Sequence, residues 1–387
     1  MLRVLWLTSW YPNKLDAMNG DFIQRHAKAT SLYYDVHVIH FEPDKKNELK
    51  TPLEKQKKSE VNLTEEIYLF KLSSFPVIGK IISFWLYNKN FKKAIKEYIS
   101  TNGKPDIVHV HVPVKAGIVA LWLKKKYDIP FVVTEHWTIY SQQSPDFFLN
   151  KSFLFKYFTR KILLNAAAFL PVSKDLGNNV QKLVAPVSFT VVENAVDTNF
   201  FNFQQQQENE VFQFIHISTF NYQKNTEAIV KAYKQFVTEY SKSKLLLVGE
   251  AGNNIIQFSK NLNIPSANIQ FTGLVSYETV AKYLKCSNAL VMFSRYENMP
   301  CVILESLCCG VPVISSNTGG INEVVNNENG ILLEEYSEAA LLNAMKEMYK
   351  NYEKYNSSKI SHQAITKFSY HTIGKKIAQF YRDVLKK

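Results

Sequence analysis

Cysteine is scarce in this chain. The 387 residues include four, Cys286, Cys301, Cys308 and Cys309, all in the second half. None forms a C-x2-C pair, so neither a disulfide framework nor a zinc site is encoded, and a reducing compartment suits the chain. Long apolar runs are missing too. No stretch approaches the ~20 apolar residues of a membrane span, and the longest candidate, Phe75–Tyr87, is short and contains Lys80. The opening MLRVLWLTSWYPNK is apolar only briefly, which predicts a first strand and not a signal peptide. The segment before the first helix lacks G-x-G-x-x-G, so the dehydrogenase dinucleotide fingerprint is absent. No Asp-x-Asp stands at a strand end, and no RRM, helix-turn-helix or zinc-finger pattern supports a nucleic-acid partner. Acid is short relative to base: 34 Asp and Glu against 46 Lys and Arg, a net charge of +12. An acidic lipid surface and a diphosphate substrate account for that excess, beside a basic surface kept for solubility.

Apolar content of 46% with 21% charged residues describes a globular chain, and the length suits two domains better than one. Strand-like and helix-like runs alternate almost from end to end, which predicts α/β domains with doubly wound parallel sheets. Strands are expected at 4–8, 36–40, 68–72, 107–111, 131–134, 169–172 and 189–192, and helices at 21–33, 84–99, 114–125, 153–164 and 174–183. The Lys-rich 45–58 lacks apolar period and reads as an exposed loop. A polar tract at 194–209, containing QQQQENE, reads as a linker. The pattern then restarts with strands at 211–217, 245–248, 269–272 and 289–293 and helices at 226–240, 255–262 and 277–284. In the first of these helices Ile229, Ala232, Tyr233, Phe236 and Val237 share one face. A last helix is expected over 372–385.

The stretch SRYENMPCVILESLCCGVPVISSNTGGINEVV, from Ser294 to Val325, holds the densest chemistry. Glu297 and Glu305 stand eight positions apart, separated by a polar loop, Pro300 and an apolar run. Pro at a helix start predicts a helix from Cys301 to Cys309, stopped at Gly310. The N–H groups and positive dipole end of that helix suit a phosphate, and a carboxylate on either side suits hydroxyl groups. Taken alone, a solvated Glu before a helix and a second Glu on its exposed face is the better reading of the pair. Gly319-Gly320 permits a tight backbone turn.

The E-x7-E spacing, the Cys-Gly-Val-Pro-Val turn and the Gly-Gly-x-x-Glu ending at Glu323 together resemble the donor-binding signature of retaining family 4 glycosyltransferases. The resemblance covers nearly the whole chain and is strongest over 215–333. It implies the GT-B fold: two Rossmann-like domains facing across a cleft, 1–198 on the acceptor side and 204–367 on the donor side. The final helix, 368–387, would cross back to the first domain.

That resemblance also implies residue roles. Gly20, before the first helix, matches a Gly-rich loop that touches the donor diphosphate; the local alternative is a plain helix cap. His136, after the strand FVVT, matches a donor-sugar His with a catalytic role, and His111 lies toward the acceptor. In STFNYQKN, Lys224 matches a pyrophosphate-binding Lys, where a point charge stabilises the leaving group. Thr219 stands where the family usually has Arg, and Arg295 is a substitute for the missing charge or a surface group. Gly273, Leu274 and Val275 line the nucleobase pocket. Asn298, Met299, Pro300 and Cys301 form the phosphate-binding helix start, Glu305 holds the ribose, and catalytic Glu297 holds the sugar. Ser173 is an N-cap, with Lys174 on the solvent or acceptor side.

The expected activity is retaining, metal-independent transfer of a sugar from a nucleotide-diphosphate sugar to a glycan or lipid-linked acceptor. The expected location is the cytoplasm, peripheral on the inner face of the membrane. The segment with Phe84, Trp85, Tyr87, Phe91 and Lys80, Lys89, Lys92, Lys93 and Lys96 is either a dock for anionic membrane or an ordinary helix with lysines in water. A sugar-nucleotide epimerase and a non-catalytic GT-B-like binding subunit are the alternatives.

Overall fold

The computed structural model describes residues 2–72, 79–205 and 210–386. Part of the Phe75–Tyr87 candidate, the side chain of Lys80 and part of the QQQQENE tract lie outside the described residues. The chain divides into two compact units, 1–140 with 148–195 and 370–387, and 141–147 with 196–369.

The first unit is built on β1 (Arg3–Thr8), β2 (Asp35–Asp44), β3 (Leu53–Glu60), β4 (Leu63–Lys71), β5 (Ile107–His111), β6 (Phe131–Glu135) and β7 (Ala168–Pro171). They form one sheet in the order β3-β4-β2-β1-β5-β6-β7, parallel except for β3. Central β1 reads RVLWLT, and Val4 to Leu7 are fully buried, as expected of a parallel strand covered on both faces. The helices are α1 (Asp21–Ser31), α2 (Gly79–Asn102), α3 (Ala116–Tyr127), α4 (Phe153–Asn165) and α5 (Lys174–Leu183). Lys124 of α3 donates to the Asn165 carbonyl at the end of α4, and Gly117 packs against Ile162.

The second unit holds β8 (Phe212–Ile217), α6 (Thr226–Glu239), β9 (Ser243–Val248), α7 (Asn253–Asn261), β10 (Ile269–Phe271), α8 (Tyr277–Lys285), β11 (Ala289–Met292), α9 (Cys301–Cys308), β12 (Val313–Ser316), β13 (Gly330–Leu333), α10 (Glu338–Lys350) and α11 (Ser357–Phe368). Its sheet runs β10-β9-β8-β11-β12-β13, all parallel. The five residues predicted for one face of α6 are all buried. A final helix, α12 (Tyr370–Leu385), belongs to the first unit and packs on α1; an added Cβ on Gly374 would lie 2.0 Å from the Ala29 carbonyl oxygen.

Three expectations are corrected. The segment 45–58 is not all loop, because Leu53–Glu60 forms β3, antiparallel to β4. As an edge strand it needs no apolar face; its lysines discourage further pairing, and Lys55 and Lys57 meet Glu66 of β4. Residues 189–192 are not a strand. They run beside β7 with one bridge, Phe169 to Phe189, and Thr190 and Val192 donate to its carbonyls. The 194–209 tract holds the boundary between the units, at 195/196, as a linker would, but its described part is packed and not open, since Ala195, Val196 and Phe201 are fully buried and Val196 N–H donates to Phe368 O at 2.8 Å.

Candidate active site

In the second unit every candidate residue follows the carboxyl end of a strand. β8 and β11 are neighbours although distant in sequence, so the winding of the sheet reverses between them. Ligands of open α/β sheets favour such a switch point. The loop after β8 carries Thr219 and Lys224, and the loop after β11 carries Arg295 to Pro300.

Those two loops are tied together. Arg295 N–H donates to Gln223 O at 2.8 Å, and the Gln223 amide donates to Tyr296 O at 2.9 Å. Buried Glu297 accepts from Lys224 Nζ at 2.5 Å through Oε1 and from Gln223 Nε2 at 3.2 Å through Oε2. The two residues with separate expected roles are thus an ion pair in this structure. From below, His216 Nδ1 lies 2.8 Å from Val291 O, so that nitrogen must carry the proton, and Nε2 faces the hydroxyls of Ser218 and Thr226. Burial pulls its pKa down to about 4, which keeps this support neutral.

The Gly-Gly turn has a specific task. Gly319 has φ 58°, and a Cβ there would lie 2.0 Å from the Glu297 carbonyl oxygen. Gly320 N–H donates to Asn298 O at 2.8 Å. Only a bare backbone can approach the Glu297 loop this closely.

Pro300 caps α9 in an extended conformation; Asn298, Met299 and Pro300 are buried and Cys301 is half-buried. The helix ends at Cys308, capped by Cys309 before Gly310 at φ 79°. Glu305, one turn in and buried, accepts from the Tyr277 hydroxyl at 3.0 Å. Tyr277 begins α8, so the loop containing half-buried Gly273, exposed Leu274 and half-buried Val275 is joined through it to the Glu305 side of α9. Thr219 is exposed. Arg295 reaches back to the loop that holds Thr219: its guanidinium lies 4.1 Å from the Tyr222 ring centre and donates to the Tyr222 carbonyl. Gln223, Tyr277 and His216 were missed as site residues. Their roles depend on contacts between loops far apart in sequence; only the spacing of Gln223 beside Lys224 offered a signal.

The first unit gathers four buried histidines. His109 Nδ1 is 2.6 Å from the Tyr381 hydroxyl and its Nε2 2.7 Å from the Thr134 hydroxyl, which makes it part of the scaffold. His111 stacks on Trp6 with centres 4.1 Å apart, and its Nδ1 lies 3.3 Å from His136 Nε2. His26 Nε2 lies 2.9 Å from Glu193 O and donates to it. Burial lowers the pKa of His109, His111 and His136 well below the ordinary value and that of His26 to about 4, so the cluster is neutral. Nitrogens of His26, His111 and His136 lie within 4.8 Å of one another, the one group among the described residues spaced for a metal ion. The His111 to His136 contact already has hydrogen-bond length, and a cation between them would break it.

Glu135 holds His136 in place. One oxygen accepts from the N–H groups of His136 and Trp137 at 2.8 and 2.9 Å, and the other from the Tyr140 hydroxyl. Burial raises its pKa to about 7 against those bonds. Gly20 begins α1 at φ 68°, where a Cβ would come within 2.8 Å of Trp10 Cβ. Phe22, two residues on, packs on His136 with centres 4.7 Å apart, so Gly20 and His136 share one neighbourhood. Ser173 caps α5 by accepting from Leu176 N–H, and Lys174 is exposed.

The profile described as Glycosyltransferase Family 4 matches residues 25–200, and that described as Glycosyl transferases group 1 matches 197–363. Alpha-monoglucosyldiacylglycerol synthase of Streptococcus pneumoniae is 23% identical over 364 residues, covering 87% of this chain and 81% of that protein. Among solved structures, sucrose-phosphate synthase of Thermosynechococcus elongatus superposes with a TM-score of 0.77 at 18% identity, covering 100% of both chains. HepE of Anabaena, in complex with UDP, reaches 0.73 at 17% identity, covering 99% of this chain and 100% of that one. With one profile on each half of the chain and a fold likeness running its full length, this protein belongs to glycosyltransferase family 4 and has the GT-B fold of two parallel-sheet α/β domains.

Proposed function

We propose that this glycosyltransferase moves a sugar from a nucleotide-diphosphate sugar to a hydroxyl of a glycan or lipid-linked acceptor, with retention at the anomeric carbon and without a metal ion. Assembly of a cell-surface polysaccharide or glycolipid at the inner face of the cytoplasmic membrane is the setting that fits. The observation that carries the reading is the Lys224–Glu297 pair at the β8/β11 switch point, with Glu305 one turn into the adjoining helix.

In this reading the start of α9 and Lys224 take the donor diphosphate. Glu305 binds the ribose, the Gly273–Val275 backbone borders the base, and Arg295 supplies the charge that Thr219 lacks. As the glycosidic bond breaks, negative charge grows on the leaving diphosphate and positive character on the sugar ring. Lys224 answers the first and Glu297 the second. His136, neutral and held by Glu135, is a hydrogen-bond partner for a sugar hydroxyl. His111 and Lys174 are assigned to the acceptor side. The Lys224–Glu297 contact holds both groups ready before the donor arrives.

A thermal-shift screen of sugar nucleotides identifies the donor, and labelled donor with candidate acceptors then shows the product. Transfer with retained configuration, undiminished by a chelator, is expected. Epimerised donor as the sole product, or binding without turnover, would replace the reading with one of its two alternatives.

A further inference from the structure

The outward surface of α4 is unusual for a helix exposed to water. Its inner face, with Thr159, Ile162 and Leu163, is buried against the first unit. Its outer face should then be polar. Instead Phe153, Leu154, Tyr157 and Leu164 are exposed, by 76%, 63%, 46% and 51%, with Leu149 just before the helix. Arg160 and Lys161 lie in the same stripe at helical spacing, with Lys151 and Lys156 beside it. From Phe147 to Lys174 the chain has five basic residues and no acidic one.

Neighbouring helices extend this character. The β4–β5, β5–β6 and β6–β7 crossovers step across the sheet in one direction, so α2, α3 and α4 share a face. On α2, Trp85 is exposed with Lys89 over its ring at 4.8 Å; on α3, Lys126 lies over Trp122 at 5.7 Å. The helix α2 thus divides its aromatics, with Tyr87 and Phe91 in the core and Phe84 and Trp85 outside. Helices α2 and α4 both start at the carboxyl edge of the sheet, the edge that carries His111 and His136.

We propose that the outer face of α4, flanked by Trp85 and Lys89, docks on the surface of an anionic bilayer. Apolar side chains and aromatic rings enter the headgroup region while Lys and Arg meet lipid phosphates. A second copy of the chain is the poorer occupant: a two-fold contact would set one basic stripe against another, with no acid between. The proposal deepens the lipid-linked part of the reading above, and its test is independent of turnover.

The test is co-sedimentation of the full chain with vesicles of phosphatidylcholine alone or mixed with phosphatidylglycerol, at low and high salt and without donor. Wild type pellets with anionic vesicles at low salt. The Phe153→Ser/Leu154→Ser/Tyr157→Ser variant and the Lys156→Glu/Lys161→Glu variant bind roughly tenfold or more weakly while keeping wild-type melting and nucleotide binding. Trp85→Ser has a smaller effect. Wild type left in every supernatant overturns the proposal, as does undiminished binding by the α4 variants. Light scattering that shows a dimer dissolved by the triple substitution gives the face to a second copy instead. None of these outcomes bears on transfer to a soluble acceptor, which is measured separately.

Discussion

Replacing Lys224 with Ala perturbs two things at once, and the structure allows them to be separated. The first is contact with the donor diphosphate. The second is Glu297, whose carboxylate is left buried with only the Gln223 amide at 3.2 Å. Removing one partner of a buried pair costs about 3–5 kcal/mol. Here the side chains keep 18% and 6% of their exposure, which favours the lower end of that range. A loss of ~3 kcal/mol lowers the melting temperature of a domain this size by about 6–12 °C. Adding Glu297→Gln removes the stranded charge and keeps an oxygen and an amide of the same shape, so the double variant should melt above Lys224→Ala alone. Its affinity for nucleoside diphosphate should not recover: loss of a charge-assisted contact of ~1.5–3 kcal/mol weakens diphosphate binding roughly 10- to 150-fold. Nucleoside monophosphate binding should change little. Scanning calorimetry and titration calorimetry on Lys224→Ala, Glu297→Gln and the double variant give both readouts. A single variant that melts with wild type, or two substitutions whose losses simply add, would refute the pair. Equal loss of mono- and diphosphate affinity would refute the phosphate assignment.

Other outcomes follow from the same geometry. Gly319→Ala should lower both stability and turnover, because its Cβ meets the Glu297 carbonyl at 2.0 Å; Gly273→Ala, at φ 72° with nothing within 4 Å, should cost only ~1–2 kcal/mol. Parallel melting and activity curves compare them. Tyr277→Phe should raise KM for the donor slightly without changing kcat, since it removes only a support for Glu305. Stability should fall as pH drops from about 6.5 toward 4, because His26 and His216 are held neutral near pKa 4 when folded and take up protons once unfolded. Each contributes ~3 kcal/mol across that window. Glu135 acts oppositely, its stabilising neutral form being lost as pH rises from about 4.5 through 7. His216→Gln should flatten the acid limb of a plot of Tm against pH, and Glu135→Gln the neutral limb.

The alternation of strands and helices was legible because each parallel strand is a short apolar run and each helix shows a 3.6 period. β3 was not, since an edge strand with two wet faces has no apolar signal. β13, α10 and α11 lie beyond the stretch with the densest motifs, and the fold alone assigns them. At the site, sequence spacing located Glu297, Glu305 and Lys224, but not the pairing of Lys224 with Glu297. That pairing depends on β8 and β11 lying side by side, a fact of topology. Gly319 was legible as a turn, and only the fold shows that its bareness makes room for the Glu297 backbone. The sequence shows Thr219 as a missing charge; the structure adds that Arg295, from the loop after β11, stacks on Tyr222 of the loop that holds Thr219.

The central claim is that the two glutamates do different work, Glu297 on the sugar and Glu305 on the ribose. Steady-state kinetics and titration calorimetry on Glu297→Gln and Glu305→Ala, with the donor identified by screening, test it directly. Glu297→Gln should lower kcat by on the order of 10²-fold or more while nucleoside diphosphate affinity stays near wild type. Glu305→Ala should mainly raise KM and weaken nucleotide inhibition, because ribose contacts are shared by ground and transition states. Loss of free-nucleotide affinity in Glu297→Gln, together with loss of kcat alone in Glu305→Ala, would contradict the assignment.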